Sequence, residues 1–291
     1  MHLLKGITAI TFIMFNAALV WIPLTLWIIQ RAWTRGEALV ALRKRMDLII
    51  WWWSANNRRM LRWLNIVEPD IRWKDEANMS KENWYLVISN HQSWTDIVLL
   101  QCFMYPTISP LKFFTKEQLI WVPFIGLAMK VLGFPYVKRV TKKQMRANPE
   151  LRNADKTNTL AACDGFKNHP TSILNFVEGT RRTSEKQARQ SGEFSHLLRP
   201  KVGGLGYVIE GMDDYLSNLL DVTIIYPDGV PTFWAFLQGR SPRVIIDIQP
   251  HTIPEQIYQS SDAGRRAALA QWIKQLWIAK DQRIADALSA D

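Results

Sequence analysis

Cysteine is nearly missing from this chain. Its 291 residues hold two, Cys102 and Cys163, far apart and in no Cys-x-x-Cys arrangement, so neither a disulfide framework nor a thiolate zinc site is expected, and a reducing compartment fits best. Both fall in apolar helical patterns, where a thiol serves as a small buried hydrophobe rather than a nucleophile. The histidines are few and scattered: His2, His91, His169, His196 and His251 make no helical pair at ligand spacing, so no metal is expected. There is no Gly-x-Ser-x-Gly elbow, which argues against a serine hydrolase. The glycines of Leu198–Gly206 match neither Gly-x-Gly-x-x-Gly nor a P-loop and suit the tight start of a helix instead. No internal repeat or low-complexity tract occurs.

Acidic residues are outnumbered as well. Thirty-six lysines and arginines stand against 26 aspartates and glutamates, a formal net charge of +10, which favours nucleic acid, anionic lipid headgroups or a phosphorylated substrate as partner. The N-terminal third narrows that choice. From Ile7 to Gln30 run 24 residues without a charge, broken only by Asn16 and Pro23, against the roughly 20 needed to cross a hydrocarbon layer. A cleavable signal peptide fits poorly, because the run is too long and no small-x-small site follows. Next come Arg31, Arg35, Arg43, Lys44, Arg45, Arg58, Arg59 and Arg62 against Glu37 and Asp47, interleaved with Trp33, Trp51, Trp52, Trp53 and Trp63. Cations with aromatics can bind nucleic acid, but continuity with the apolar run points to a membrane surface, where such rings settle among headgroups. Residues 1–67 are therefore expected to be a membrane anchor with its cationic flank cytoplasmic, at the inner membrane if the source is bacterial. A full crossing is the favoured form. Pro23 and the run Asp47–Trp53 leave open two helices that dip into one leaflet and return.

After Glu68-Pro69 short apolar runs alternate with helical patterns through 68–291, which predicts an α/β domain: a mixed, mostly parallel central sheet flanked by helices. Strands are expected at 84–89, 111–115, 135–138, 172–178, 221–226 and 243–248. Helices are expected at 94–104, 117–132, 155–168, 201–212 and 232–238, with a long one from Asp262 to Leu288. On that last helix Leu269, Trp272, Ile273, Leu276, Trp277, Ile284 and Leu288 share one core-facing side. The polar stretch Thr183–His196 carries no core pattern and is expected to be a loop over the site.

Chemistry concentrates in the turn after the first of these strands. Asn90-His91-Gln92-Ser93-Trp94-Thr95-Asp96 places an imidazole five residues before a carboxylate, at the C-terminal end of a strand where α/β sites gather. His91 is suited to take a proton near neutral pH, and Asp96 to hold its ring in one tautomer. A second cluster, Glu178-Gly179-Thr180-Arg181-Arg182, follows a buried strand: glycine permits close backbone approach, and guanidinium forks suit phosphate oxygens. A third comprises Lys116 and the run Gly133-Phe134-Pro135-Tyr136-Val137-Lys138-Arg139, whose cations reach the His91 edge if the strands are parallel. Each cluster alone also has a plain structural explanation in local hydrogen bonds, solvated loops or edge charges.

Taken together, NHQSWTD, GFPYVKR, EGTR and the Leu198–Pro200 run LRP follow the order and approximate spacing of four motif blocks. Across roughly 84–210 the chain resembles the glycerolipid acyltransferase family that includes the 1-acylglycerol-3-phosphate acyltransferases. It is similar in particular to the branch grouping plant and animal lysophospholipid acyltransferases with bacterial relatives. The resemblance implies transfer of a fatty acyl group from an acyl-CoA or acyl-carrier-protein thioester to the free hydroxyl of lysophosphatidic acid or a related lysophospholipid. The thioester is a substrate, and no further cofactor is implied. His91 would act as base and Asp96 as its orienter. Lys116, Arg139, Glu178, Gly179, Thr180, Arg181 and Pro200 would form the substrate site. Membrane phospholipids are the implied surroundings and nucleic acid is not implied as a partner. Remodelling of lysophosphatidylglycerol or lysocardiolipin, and a non-catalytic role in holding anionic lipid, are the alternatives. Block two has Pro135-Tyr136-Val137-Lys138 where Phe-Ile is more usual, Arg182 adds a cation, and Arg199 precedes Pro200 in place of leucine. These departures bear on headgroup choice rather than reaction class.

Overall fold

A computed structural model describes residues 1–137, 151–190, 192–259 and 262–289. Two long helices come first, α1 (His2–Trp33) and α2 (Gly36–Trp63). They form an antiparallel hairpin: Asn16 Nδ2 donates to the Trp53 carbonyl at 3.1 Å, and Lys5 Nζ to the Asn65 carbonyl at 3.2 Å. Ala9, Ile13, Ala17, Val20 and Leu24 recur at three- and four-residue steps and are buried, while Ile7, Phe15, Ile22, Leu26 and Ile29 on the opposite stripe are exposed. By length and composition α1 suffices to cross a membrane. Its first residues nevertheless sit on the α/β domain, with the His2 ring 2.8 Å from the Gln238 carbonyl. Deep in α2, buried Asp47 pairs with Lys112 at 3.0 Å and with His169, tying the hairpin to the central sheet.

That sheet has six strands in the order β1-β8-β7-β2-β6-β3: β1 (Asp70–Trp73), β2 (Trp84–Ser89), β3 (Leu111–Phe113), β6 (Ser172–Phe176), β7 (Leu216–Ile225) and β8 (Ile245–His251). All neighbours are parallel except β7 and β8. β2 lies at the centre, and Tyr85, Leu86, Val87 and Ile88 are fully buried, as expected of a strand covered on both faces. Tyr85 and Val87 face the layer of α1, α2 and α3 (Thr95–Met104). Leu86 and Ile88 face α5 (Leu151–Phe166), α7 (Gly203–Met212) and α10 (Asp262–Ser289). The expected side of α10 is the buried one, through Leu269, Ile273, Trp277 and Ile284, although Leu288 is exposed at its end. Each such fully buried side chain contributes roughly 1.5–3 kcal/mol.

Several elements differ from the sequence expectation. Of the strand expected at 135–138, the described residues form β5 (Tyr136–Val137), paired in parallel with β4 (Thr115–Lys116) in a separate two-stranded sheet, and residue 138 lies outside the described residues. The helix expected at 117–132 divides into a 3-10 turn, Glu117–Trp121, and α4 (Ile125–Val131). The polar stretch after Thr183 contains a short helix, α6 (Ser184–Ala188), whose start is capped by the Thr183 hydroxyl. Two further short helices, α8 (Phe233–Leu237) and α9 (Glu255–Gln259), flank β8. Both cysteines are buried and free, and burial pushes the Cys163 thiol up to about 12.

Candidate active site

The turn after β2 owes its shape to Asn90. Its side-chain amide donates to the Ile224 carbonyl and accepts from the Ile224 N–H, both at 2.8 Å. A side chain thus continues the pairing with β7 while the main chain peels away, and His91 emerges at the edge where β2, β6, β3 and β7 all end. From this edge β2 leads past β6 to β3, whereas β6 leads back past β2 to β7, so two adjacent strands leave it in opposite directions, the point in open α/β sheets where ligands bind. Ser93 pins the far side of the turn, its hydroxyl donating to the Pro231 carbonyl at 2.8 Å.

Asp96 is fully buried at the start of α3 and is saturated with donors. One oxygen accepts from the backbone N–H groups of Gln92 at 2.7 Å and Ser93 at 2.9 Å and lies 2.8 Å from His91 Nδ1. The other accepts from the Tyr226 hydroxyl at 2.5 Å. With Nδ1 facing a carboxylate that Gln92, Ser93 and Tyr226 hold in place, the ring proton belongs on Nδ1 and the Nε2 lone pair is left to accept another. The imidazole stacks on Phe176 with centroids 4.0 Å apart. Its backbone is clamped too: His91 N–H points to Glu178 Oε1 at 3.4 Å, and the Arg182 N–H donates to the His91 carbonyl at 2.7 Å.

Tyr226 was not legible as a site residue, since it stands 130 positions from its partner in the chain. Burial first, and then the adjacent carboxylate, raise its phenol well above the ordinary range, so the hydroxyl stays a donor. Tyr226→Phe should lower kcat by about tenfold and leave KM for the acceptor nearly unchanged, because the lost bond orients Asp96 and touches no substrate. Steady-state kinetics beside thermal melts check this; an unchanged kcat contradicts it.

Glu178 is buried, and its Oε2 has no hydrogen-bond partner. Burial pushes its carboxyl up to about 8, against the His91 N–H and the field of Lys280, which favour the charged form. Lys280 itself, fully buried on α10, pairs with Asp221 at 2.7 Å, and Arg283 bridges Asp221 and Asp247. A carboxyl with a folded value near 8 and an unfolded value near 4.5 keeps its proton in the folded chain while the unfolded chain loses its own. Stability is therefore undiminished below about 4.5 and falls as pH rises toward about 8. Glu178→Gln should melt at a higher temperature than the unaltered chain near pH 8.5, with the gap closing near pH 4.5, by roughly the order of a few kcal/mol expected for a shift this large. Melts at the two pH values read it directly, and a gap that does not vary with pH contradicts it.

The second cluster splits between two tasks. The Arg181 guanidinium lies 5.0 Å from the ring centroid of exposed Trp94, beside the His91 turn. Arg182 instead turns toward Gln187 and the Ser195 carbonyl, so it braces the loop and does not widen the free cationic patch as its position suggested. Two lysines that sequence reading passed over stand at the same turn: Lys186 Nζ donates to the Thr180 hydroxyl and the Arg181 carbonyl, both at 2.8 Å, and Lys201 crosses the Gly179 turn. Gly179 has φ +68°, and a Cβ there would stand 3.2 Å from Lys201 Nζ, so glycine serves both the left-handed turn and the passage of the lysine. Pro200 leads into that lysine. Lys116 lies on β4; its side chain, and the whole of Lys138 and Arg139, fall outside the described residues.

The protein-family model described as Acyltransferase matches residues 70–226, more than half of the chain. Among curated proteins, an uncharacterized acyltransferase of Schizosaccharomyces pombe is 25% identical over 68% of this chain and 58% of its own length. The 1-acyl-sn-glycerol-3-phosphate acyltransferase epsilon of Mus musculus is 23% identical over 71% of this chain and 58% of its own. The 2-acyl-1-lysophosphatidylinositol acyltransferase of Saccharomyces cerevisiae is 24% identical over 73% and 63%. The chain thus spans about three-fifths of the length of these relatives. Among solved structures, the 1-acyl-sn-glycerophosphate acyltransferase PlsC of Thermotoga maritima is 17% identical, covers 95% of this chain and 98% of its own, and superposes with a TM-score of 0.49.

Proposed function

The chain belongs to the acyltransferase family, and on that premise we propose that it moves a fatty acyl group from a thioester of coenzyme A or acyl-carrier protein to the free hydroxyl of a lysophospholipid at a membrane surface. The observation that carries this reading is His91 held 2.8 Å from a four-donor carboxylate, with no hydrogen bond to Nε2 among the described residues at the ligand edge of the sheet. The acceptor hydroxyl gives its proton to Nε2 as its oxygen bonds to the thioester carbonyl carbon. The tetrahedral adduct then expels the thiolate, and the imidazolium returns the proton to sulfur or to solvent. A thiol is a good leaving group, so no enzyme nucleophile is needed. Asp96 stabilises the transient imidazolium. Arg181, Lys186 and Lys201, joined by Lys116 and Arg139, hold the acceptor phosphate, and proximity supplies much of the rate.

We place the domain on the cytoplasmic face, anchored by the hairpin. The start of α1 and the turn after α2 meet at the same side of the domain, which suits a hairpin lying in one leaflet better than a crossing. Lysophosphatidic acid is the first acceptor we assign; remodelling of another lysophospholipid is the second reading, supported by the similarity to a lysophosphatidylinositol acyltransferase. Purified protein in detergent, given a panel of lysophospholipids and thioesters with products identified by mass, decides among them. Product from lysophosphatidic acid alone selects the first reading, and product from other headgroups selects the second. Lipid binding without product from any thioester refutes both.

A further inference from the structure

The segment between β4 and β5 forms an apolar knuckle that catalysis does not use. It leaves the sheet at the end of β3, at the same edge as His91, and returns at Tyr136. Trp121 is 85% exposed, Phe124 49% and Leu127 50%, a group too apolar to face water without a reason. The knuckle is also built tightly. Phe124 sits at φ +61°, a conformation that bulky side chains avoid and that marks sites where the surrounding structure imposes it. Gly126 lies so close to the preceding turn that a Cβ would stand 2.3 Å from the Leu119 carbonyl oxygen. Tyr136 locks the base by donating to the Gly126 carbonyl at 2.6 Å.

We propose that Trp121, Phe124 and Leu127 form a second membrane anchor, which enters the same leaflet as the outward stripe of α1 and holds the catalytic edge against the bilayer. The inference rests on the reading of α1 as lipid-facing and extends it to a part of the chain more than 85 residues further on. Continuity identifies the occupant: Trp21 of α1 donates its indole N–H to the Phe124 carbonyl at 2.9 Å, so knuckle and helix present one apolar surface. A groove of about 370 Å³ between α1 and α2, lined by Leu19, Ile22, Pro23, Trp27, Leu48 and Trp52 among others, continues that surface and suits a lipid chain. Exposed Lys130 on α4 and Arg31 and Arg35 at the hairpin tip add the charge that anionic headgroups attract,. An amphipathic ring such as that of Trp121 belongs at such a boundary.

The full chain carrying Trp121→Cys or Leu127→Cys, spin-labelled and reconstituted in phosphatidylglycerol–phosphatidylethanolamine vesicles, tests the proposal; Cys102 and Cys163 are buried. The labels should become accessible to oxygen and shielded from a water-soluble nickel chelate, while a label at Asp164→Cys, exposed near the end of α5 at the opposite edge of the sheet, stays open to the chelate. Equal chelate access at all three sites overturns the proposal, and so does dipolar broadening between labels, which would put a second copy on this surface. As a second readout, serine at 121, 124 and 127 together should cut turnover of vesicle-embedded acceptor by about tenfold through lost apolar insertion, with turnover in detergent micelles unchanged. Immersed labels on a chain without acyltransferase activity would refute the proposed function and keep the anchor; water-exposed labels on an active enzyme would do the reverse.

Discussion

His91→Ala should lower acyl transfer from a thioester to a lysophospholipid by roughly 10³-fold or more, the upper part of the range for losing a positioned general base. The acceptor hydroxyl is a poor nucleophile while it keeps its proton, and of the two ring nitrogens of His91 it is Nε2 that takes that proton, since Nδ1 is committed to Asp96 at 2.8 Å. Folding should survive. The imidazole covers Phe176 at the rim of the sheet, and the bonds of the residue-91 backbone, its N–H donating to Glu178 Oε1 and its carbonyl accepting from the Arg182 N–H, do not depend on its side chain. Thiol release measured beside a thermal melt separates lost chemistry from lost structure. Retained turnover in a folded variant removes His91 from the mechanism.

Asp96→Asn should reduce kcat by about 10²- to 10⁴-fold, on the scale found when a histidine base loses its carboxylate partner. The amide can keep an oxygen toward Gln92, Ser93 and the ring, with its NH₂ turned to Tyr226, whose hydroxyl then accepts instead of donating. Geometry survives while the negative charge that stabilises the imidazolium is gone. Asp96→Ala is expected to be worse in a second respect. It strips the acceptor from two backbone N–H groups and a phenol that are buried or nearly so, at about 1–3 kcal/mol for each unsatisfied group. A kcat loss shared by both variants, with a lower melting temperature only in alanine, is the expected pattern. Equal melting temperatures would mean that the carboxylate does not organise the turn.

How much of this was written in the sequence depended on the range of the interaction. Trp84–Ser89 and Thr95–Met104 came out almost to the residue, because an apolar run ending in a polar turn carries its own boundaries. β1 escaped notice: four residues at a sheet edge, with Asp70 and Arg72 between the apolar positions, give too little pattern. β7 begins at Leu216, five residues before the expected start, because pairing with β2 draws Leu-Ser-Asn into a strand against its turn-like composition,. The pairing of β5 with β4 has no local signature at all.

The site shows the same division. The His91–Asp96 pair was readable since both partners sit on one turn. Asn90, whose amide splices the turn to β7, and Tyr226 required knowing which strands lie side by side. Arg182 illustrates the opposite error: a guanidinium beside an EGTR run reads as a phosphate ligand until the Gln187 side chain and the Ser195 carbonyl are seen to occupy it. Lys186 lay in a stretch with no periodicity and Lys201 at the first position of an expected helix, and only the fold brings them to Thr180 and Gly179.

The central claim is that the imidazole removes a proton and the acceptor hydroxyl attacks the thioester directly. Mixing the enzyme with an excess of acyl thioester in the absence of acceptor, quenching within one turnover and weighing the intact chain tests it. A chain with no added mass, together with thiol released only once lysophospholipid is supplied, is the predicted result. A covalent acyl adduct that forms without acceptor and is discharged when acceptor arrives would contradict the mechanism.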